Sequence, residues 1–291
     1  MKPLLKWAGG KAKLAEQIVS YFPDDILKPG CVRSYYEPFF GGGAVFFSFF
    51  SMADTYAIQR LAHLSDVEPR LVNLYNAVAS SPDGVRGVLS DLLQAHATDP
   101  QATYTEARNE MNAYKLTDLD VVTGHASQAA HMLYLNKTCF NGLYRTNKSG
   151  AMNTPIGDQV PDPESIRLMP YARALALTHV KLMDFRVALR SVEPGSVVYC
   201  DPPYVPLSKT ANFTAYAGGF SMQDQADLAQ RLRELDRYGV IVVASNSDTP
   251  EVRELYAGFE LVELQVRRSV GASSATRKKV GELIIRGRTR S

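Results

Sequence analysis

Apolar residues recur at helical spacing between Lys11 and Phe22, at Leu14, Ile18, Val19 and Phe22, just after a Gly9-Gly10 turn. Val32 to Phe40 reads as a short buried strand running into Gly41-Gly42-Gly43, and an apolar helix follows from about Ala44 to Phe50. Tyr56 to Leu64 is a second strand candidate that ends at Ser65-Asp66. Pro69 then stands where a first-turn proline opens a helix through Val78. Strand, glycine turn, helix, strand and acidic residue is the opening order of a nucleotide-binding βαβ unit.

From Ser81 to Met132 the spacing is helical throughout, with little that reads as strand. Asn136 to Pro163 is rich in Asn, Gly, Thr and Pro and reads as a loop, too long to be idle inside a compact domain. After Ile166 the alternation resumes. Val180 to Leu182, Val197 to Cys200 and Val240 to Val243 read as strands and Met222 to Tyr238 as a helix. Phe259 to Arg267 and Val280 to Ile285 read as a closing antiparallel pair. The pattern predicts an α/β sheet domain, built from 1–68 and 164–291, split by a mostly helical insertion over 69–163.

Composition narrows this little. The 291 residues are 45% hydrophobic and 21% charged, ordinary for a globular chain, and no apolar stretch approaches the roughly 20 residues of a membrane span. The first residues, Met1 to Lys6, are too short in their apolar part for a secretory signal. Cys31, Cys139 and Cys200 are far apart with no CxxC, and the five histidines make no metal-ligand spacing. These features predict a chain of the reducing cytoplasm with no metal and no obligate protein partner. The net charge is only +2, but Met1 to Lys13, Asn136 to Gly157 and Val266 to Arg290 are locally basic. Such stretches suit a face offered to a polyanion, or equally solvated lysines near the termini.

The most informative residues are Asp201-Pro202-Pro203-Tyr204, directly after the apolar strand Val197 to Cys200. A loop at the carboxyl end of a strand in an open α/β sheet is where ligands bind. Two prolines fix φ and remove two donors, so an acidic side chain and a proline carbonyl stand together as stiff acceptors matched to an exocyclic NH2. The tyrosine adds a flat face for stacking. Cys200 beside Asp201 ends a buried strand and reads as core packing rather than a nucleophile.

Asp201 to Tyr204 together with Glu37-Pro-Phe-Phe-Gly-Gly-Gly43 is similar to amino-group DNA methyltransferases that use S-adenosylmethionine. Further segments narrow the resemblance to the DNA adenine methylase family. These are Leu5-Lys-Trp-Ala-Gly-Gly-Lys11, Leu135-Asn136, Asn141-Gly-Leu143 with Arg145, the run from Asp201 to Tyr216, Ser245-Asn246 and Thr276-Arg-Lys-Lys-Val280. They occur in family order and cover most of the chain, most weakly between Ser81 and Met132. The resemblance implies a Rossmann-like methyltransferase sheet carrying an inserted helical DNA-recognition domain. It implies transfer of a methyl group to adenine N6 of a flipped base in double-stranded DNA, within GATC, at the nucleoid; the alternatives are methylation of cytosine N4 or of another site, and a DNA-binding relative without catalysis. Asp201, Pro202 and Tyr204 are the implied catalytic positions.

On the cofactor side the resemblance implies contacts from Trp7, Lys11, Glu37, Phe39, Gly41, Asp66 and Asp201. Residue by residue, alternatives stay open. The glycine turn also suits a dinucleotide, Asp66 could accept from ribose hydroxyls or cap the helix at Pro69, and Trp7 could wall a pocket or anchor a core. Lys11 could reach the methionyl carboxylate or hold the pocket's acids. On the DNA side the implied set is Lys6, Phe140, Asn141, Leu143, Arg145, Asn147 and Pro155, with Arg145 reading a guanine, Lys6 an outer base pair and Phe140 entering the stack. Without the resemblance this segment is a surface loop with one basic residue. Phe140 stands where the family carries tyrosine, and Asp158 and Gln159 where an arginine and an aromatic often occur. Arg267, Arg277, Lys278 and Lys279 are the expected phosphate-facing set.

Overall fold

The computed structural model describes residues 1–22, 34–52, 62–162, 165–176, 178–204, 219–266 and 280–287. In chain order the elements are α1 (Ala15–Val19), β1 (Tyr35–Glu37), α2 (Ala44–Met52), β2 (Ala62–Asp66), α3 (Pro69–Ser80), α4 (Pro82–Thr98), α5 (Pro100–Ala113), α6 (Asp118–Thr123) and α7 (Ala126–Thr138). They continue with α8 (Met169–Leu175), β3 (Val180–Leu182), α9 (Phe185–Ala188), β4 (Val197–Cys200), α10 (Met222–Arg237), β5 (Ile241–Ser247), α11 (Pro250–Leu255), β6 (Glu260–Val266) and β7 (Val280–Arg286).

Seven strands form one sheet in the order β3-β2-β1-β4-β5-β7-β6. The pairs among β1 to β5 are parallel, and β7 runs antiparallel to both β5 and β6. Strand order reverses between β1 and β4, so the crevice of this open sheet lies at the carboxyl ends of these two strands, where β1 ends at Glu37 and Asp201 follows β4. The strands are short and apolar because both faces are covered. Tyr35, Val197, Tyr199, Val243 and Ile284 enter a core shared with α1 to α8, while Tyr36, Val198, Cys200, Val242 and Ile285 pack under α9, α10 and α11.

Helix starts follow local chemistry. Proline occupies the first turn of α3, α4, α5 and α11, where its missing N–H has no partner to lose. Glu68 caps α3 through Arg70 N, and Ser221 with Asp224 forms a capping box on α10.

Three expectations change. The helix over Lys11 to Phe22 contracts to α1, since the Lys11 to Lys13 stretch runs as turns that carry Lys11 toward β4. The strand expected over 56–64 appears as β2 at its far end, and the expected residues 56–61 lie outside the described ones. The loop expected from Asn136 begins three residues later and is a compact hairpin. It is bridged at Cys139–Ile156 and Thr146–Met152 and pinned to α5 by Asn112, whose amide bonds both backbone groups of Met152 at 2.9 and 2.8 Å. Its irregular ladder carries no period-two signal, which is why the sequence pattern does not announce it.

Candidate active site and nucleic-acid face

The site is assembled by the carboxyl ends of β1, β2, β4 and β5. Cys200 is paired with Ala244, so the next residue on each strand, Asp201 and Ser245, become neighbours. Ser245 Oγ donates to Asp201 Oδ1 at 2.8 Å and lies 3.0 Å from the Tyr199 hydroxyl. Lys11, almost wholly buried, places Nζ 2.8 Å from the same Oδ1 and donates to the Gly9 carbonyl at 2.6 Å. Both contacts fall on Oδ1, and among the described residues no partner falls on Oδ2. Of the two roles open to Lys11, holding the acids is the one this arrangement displays.

The proline turn is fixed from below. Gln225 on α10 donates to the Pro203 carbonyl at 2.7 Å, and Asn246 on β5 donates to Gln225 Oε1 at 3.0 Å. Tyr204 donates its hydroxyl to Glu282 Oε1 at 2.8 Å, and one face of its ring takes Lys11 Nζ at 4.6 Å. Glu282 also stands 3.7 Å from Lys11 Nζ, so one buried ammonium faces two carboxylates. Burial raises the Tyr204 hydroxyl well above its ordinary pKa, with Asp201 and Glu282 adding to the effect. Burial likewise holds the Cys200 thiol protonated, which leaves no thiolate beside Asp201.

The glycine turn is shaped by Asp66 and Trp7. Gly41 N donates to Asp66 Oδ2 at 2.8 Å, and Glu68 N donates to Asp66 Oδ1 at 3.0 Å. The helix cap is Glu68 and not Asp66, which corrects that alternative. Tyr75 donates to the Gly41 carbonyl at 3.1 Å. A side chain at Gly41 would meet Trp7 Cδ1 at 3.2 Å, so the indole lies directly over the turn. Burial raises the pKa of Asp66, its bonds from backbone N–H groups opposing the rise. Burial also pushes Glu37 up to about 8, against a hydrogen bond from Tyr35 and with the charges of Asp201 and Asp66. Phe39 stacks on Phe185 with ring centres 5.4 Å apart and meets Phe220 edge-on.

These residues suit S-adenosylmethionine. Three clustered carboxyl groups favour a cationic ligand, the glycine turn admits close backbone approach, and the Trp7 indole lies over that turn. Among the described residues no group of three or more His, Cys, Asp or Glu side chains is placed to hold a metal, and no helix is long and apolar enough to cross a membrane.

The expected nucleic-acid residues gather on the hairpin. Phe140 and Leu143 are 52% and 40% exposed, large apolar side chains presented outward. Asn141 is, among the described residues, the non-glycine residue with positive φ, 57°, and shapes the short 3₁₀ turn between them. Arg145 is exposed and directs Nε to Asn153 Oδ1 at 2.8 Å, which aims its guanidinium. Asn147 closes the tip, its Oδ1 accepting from Ser149 N, Ser149 Oγ and Ala151 N, so its carbonyl oxygen serves the turn. Pro155 is exposed, and its carbonyl accepts from Phe140 N at 2.9 Å. Side-chain contacts join this hairpin to the N-terminal segment. Trp7 stacks on Tyr144 with centres 5.2 Å apart, and buried Asn136 bonds Lys6 N, Lys6 O and Gly142 O. Arg267, Arg277, Lys278 and Lys279 lie outside the described residues.

Glu282, Gln225, Ser245, Phe185 and Asn153 are additions to the set expected from sequence. The acid within a basic C-terminal stretch marks Glu282, and the aromatic just after β3 marks Phe185. Gln225 and Asn153 carry no such sign.

Comparison with known proteins agrees with this geometry. The model of the D12 class N6 adenine-specific DNA methyltransferases matches residues 7–270. A type II methyltransferase of Methanocaldococcus jannaschii, M.MjaIII, is 35% identical over 98% of both chains. The type II methyltransferase M1.LlaDCHI of Lactococcus lactis is 33% identical over 98% of this chain and 95% of its own. The DNA adenine methylase of Haemophilus influenzae is 34% identical over 97% of this chain and 92% of its own. Among solved structures, the rRNA methyltransferase aviRa of Streptomyces viridochromogenes aligns over 95% of this chain and 84% of its own at 14% identity and a TM-score of 0.41, below what establishes a shared fold. The order of motifs, the mostly parallel sheet with its acidic crevice, and the match along nearly the whole length lead to one conclusion: this chain belongs to the D12 class of N6 adenine-specific DNA methyltransferases, whose methyl donor is S-adenosylmethionine.

Proposed function

We propose that the protein methylates adenine N6 within GATC in double-stranded DNA, acting in the cytoplasm on nucleoid DNA, and that the target base flips into the crevice at Asp201. The observation that carries this reading is the state of one carboxylate. Lys11 and Ser245 hold Oδ1, and Oδ2 points no bond at any described residue, so a preset acceptor is available for one N6–H. The Pro202 carbonyl is the second acceptor in this reading. Adenine N6 is a poor nucleophile because its lone pair is delocalised into the ring. Accepting both N–H bonds favours a pyramidal nitrogen whose lone pair faces the donor.

Bound in the crevice, S-adenosylmethionine supplies an electrophilic sulfonium methyl. Trp7, Glu37, Phe39, Gly41 and Asp66 are the residues that hold it in this reading. Held by these residues, the donor would offer its methyl group to N6 for direct displacement at sulfur, with the proximity advantage of a bound pair, and the methylated nitrogen would release one proton to water. Asp201 offsets the positive charge growing on nitrogen during transfer. The protonated Cys200 thiol agrees with direct transfer. A stacked base cannot reach this crevice, which is the reason for flipping, and Tyr204 is the stacking residue in this reading.

The helical segment 69–163 serves target recognition in this reading, with Arg145 on the guanine, Phe140 and Leu143 at the vacated stack, Lys6 on the outer pair, and Asn141, Asn147 and Pro155 keeping the hairpin in register. A second reading, another short adenine-containing site, is favoured by the type II methyltransferases among the relatives and by Asp158 and Gln159 just past the hairpin. Sequencing modified bases in unmethylated DNA exposed to enzyme and donor separates them. N6-methyladenine confined to GATC is expected; another site or N4-methylcytosine defeats the assignment. Asp201→Ala is expected to abolish methylation while duplex binding survives.

A further inference from the structure

A cleft of about 310 Å³ lies on the helical side of the molecule, lined by none of the residues of the Asp201 turn. Three stretches distant in sequence build it: Pro69 and Arg70 at the start of α3, Asn112 with Tyr114 to Leu116 at and beyond the end of α5, and Ser149 to Ala151 at the hairpin tip. Arg70 and Lys115 are the charged side chains in its lining, both cationic, and no carboxylate lines it.

The neutral polar groups are largely engaged elsewhere. Both ends of the Asn112 amide bond the backbone of Met152, and the Tyr114 hydroxyl donates to Asp120. Arg70 gives Nη2 to the Tyr114 carbonyl at 3.1 Å, while Nη1 is buried and has no hydrogen-bond partner among the described residues. Glu68 does not line the cleft, and its Oε1 caps the helix at Arg70 N. Lys115 is exposed and makes no ion pair among the described residues. A buried guanidinium donor without an acceptor is unfavourable, and a planar donor fork matches phosphate oxygens.

We infer that this cleft holds one backbone phosphate of the duplex, outside the base pairs that the hairpin reads. The inference rests on the reading of the hairpin as the DNA face. The same hairpin that carries Arg145 supplies one wall, so a duplex engaged by Arg145 brings its phosphates beside Arg70 and Lys115. Arg70 donates there through Nη1, the nitrogen left without an acceptor while Nη2 serves the Tyr114 carbonyl, and Lys115 supplies the second positive charge of the lining.

The test is the salt dependence of duplex binding by wild type, Arg70→Gln, Lys115→Gln and the charge-preserving Arg70→Lys. Dissociation constants are read between about 50 and 200 mM salt, where one lost phosphate contact lowers the log–log slope by about 0.9. Each glutamine variant is expected to show that drop and to bind roughly 3- to 10-fold more weakly near 100 mM, equally on GATC and unrelated duplexes. Arg70→Lys should retain most of the slope. Trimming the flanks of the duplex should lower the wild-type slope and erase its difference from the variants.

Lys115 is exposed and makes no hydrogen bond or ion pair among the described residues, so its variant reports on binding with the fold kept. Unchanged slopes in both glutamine variants, on a duplex that wild type binds, would overturn the inference. Stabilisation of wild type but not of Arg70→Gln by inorganic pyrophosphate, with unchanged slopes, would assign the cleft to a free anion instead and likewise overturn it. Failure of wild type to bind any duplex would remove the DNA-face reading first, and this inference with it.

Discussion

Glu37→Gln isolates the electrostatic strain of the acidic crevice. Glu37 ends β1, is buried, and accepts from the Tyr35 hydroxyl at 2.7 Å. Burial above all raises its carboxyl from an ordinary 4.5 to about 8. Between those two values the folded chain keeps a proton that the unfolded chain releases. The native state then binds more protons than the unfolded state, so stability falls as pH rises, by up to about 1.4 kcal/mol per pH unit. Below 4.5 both states are protonated and the penalty vanishes; above about 8 it is complete, roughly 5 kcal/mol at the full slope. Glutamine keeps an oxygen for Tyr35 and cannot titrate.

The variant should therefore match wild type near pH 4.5 and exceed it by several kcal/mol at pH 8 to 9, a difference growing across the window between. Urea unfolding of the donor-free protein from about pH 5 to 9 measures it, with equal m-values showing that the same surface unfolds. Binding of a sulfonium donor should also drive the proton off Glu37 at neutral pH. Calorimetry in two buffers of different ionisation heat should detect that release in wild type and not in the variant. Parallel stability profiles, or equal proton release, would refute the reasoning.

Gly43→Ala should destabilise by about 2–4 kcal/mol, because φ is +66° and the new Cβ would stand 2.6 Å from the Phe47 ring and 2.8 Å from that of Phe40; a thermal midpoint within a degree of wild type would contradict this. Asn136→Ala should cost about 2–4 kcal/mol by unpairing backbone groups of Lys6 and Gly142, and should weaken duplex binding more than donor binding. Unfolding and the two affinities, measured side by side, check that split. Arg145→Ala should relax discrimination at one guanine by about 1–3 kcal/mol in a panel of single-pair substitutions; equal weakening on every duplex would mean that it contacts phosphate.

What the sequence announces and what it conceals divide along a physical line. Asp201 to Tyr204 and Gly41 to Gly43 are legible because a rigid acceptor turn and a close backbone approach each demand particular residues in succession, next to an apolar strand. Glycine at 43 is required by its own dihedral and by two phenyl rings, so the requirement is written locally. Ser245, Gln225 and Glu282 answer to no local requirement. Ser245 meets Asp201 because Cys200 pairs with Ala244, and Glu282 returns to the crevice because it pairs with Ser247 in the antiparallel register of β7. Shifting that register by one residue would turn Glu282 to the opposite face and leave Lys11 and the Tyr204 hydroxyl without it. Lys11 shows the same dependence from the other end: helical spacing suggests an early start to α1, yet bonds to Asp201 and Gly9 draw its side chain into the crevice. The Asp201 turn is thus a local object, whereas the charge balance around its carboxylate is a property of sheet register.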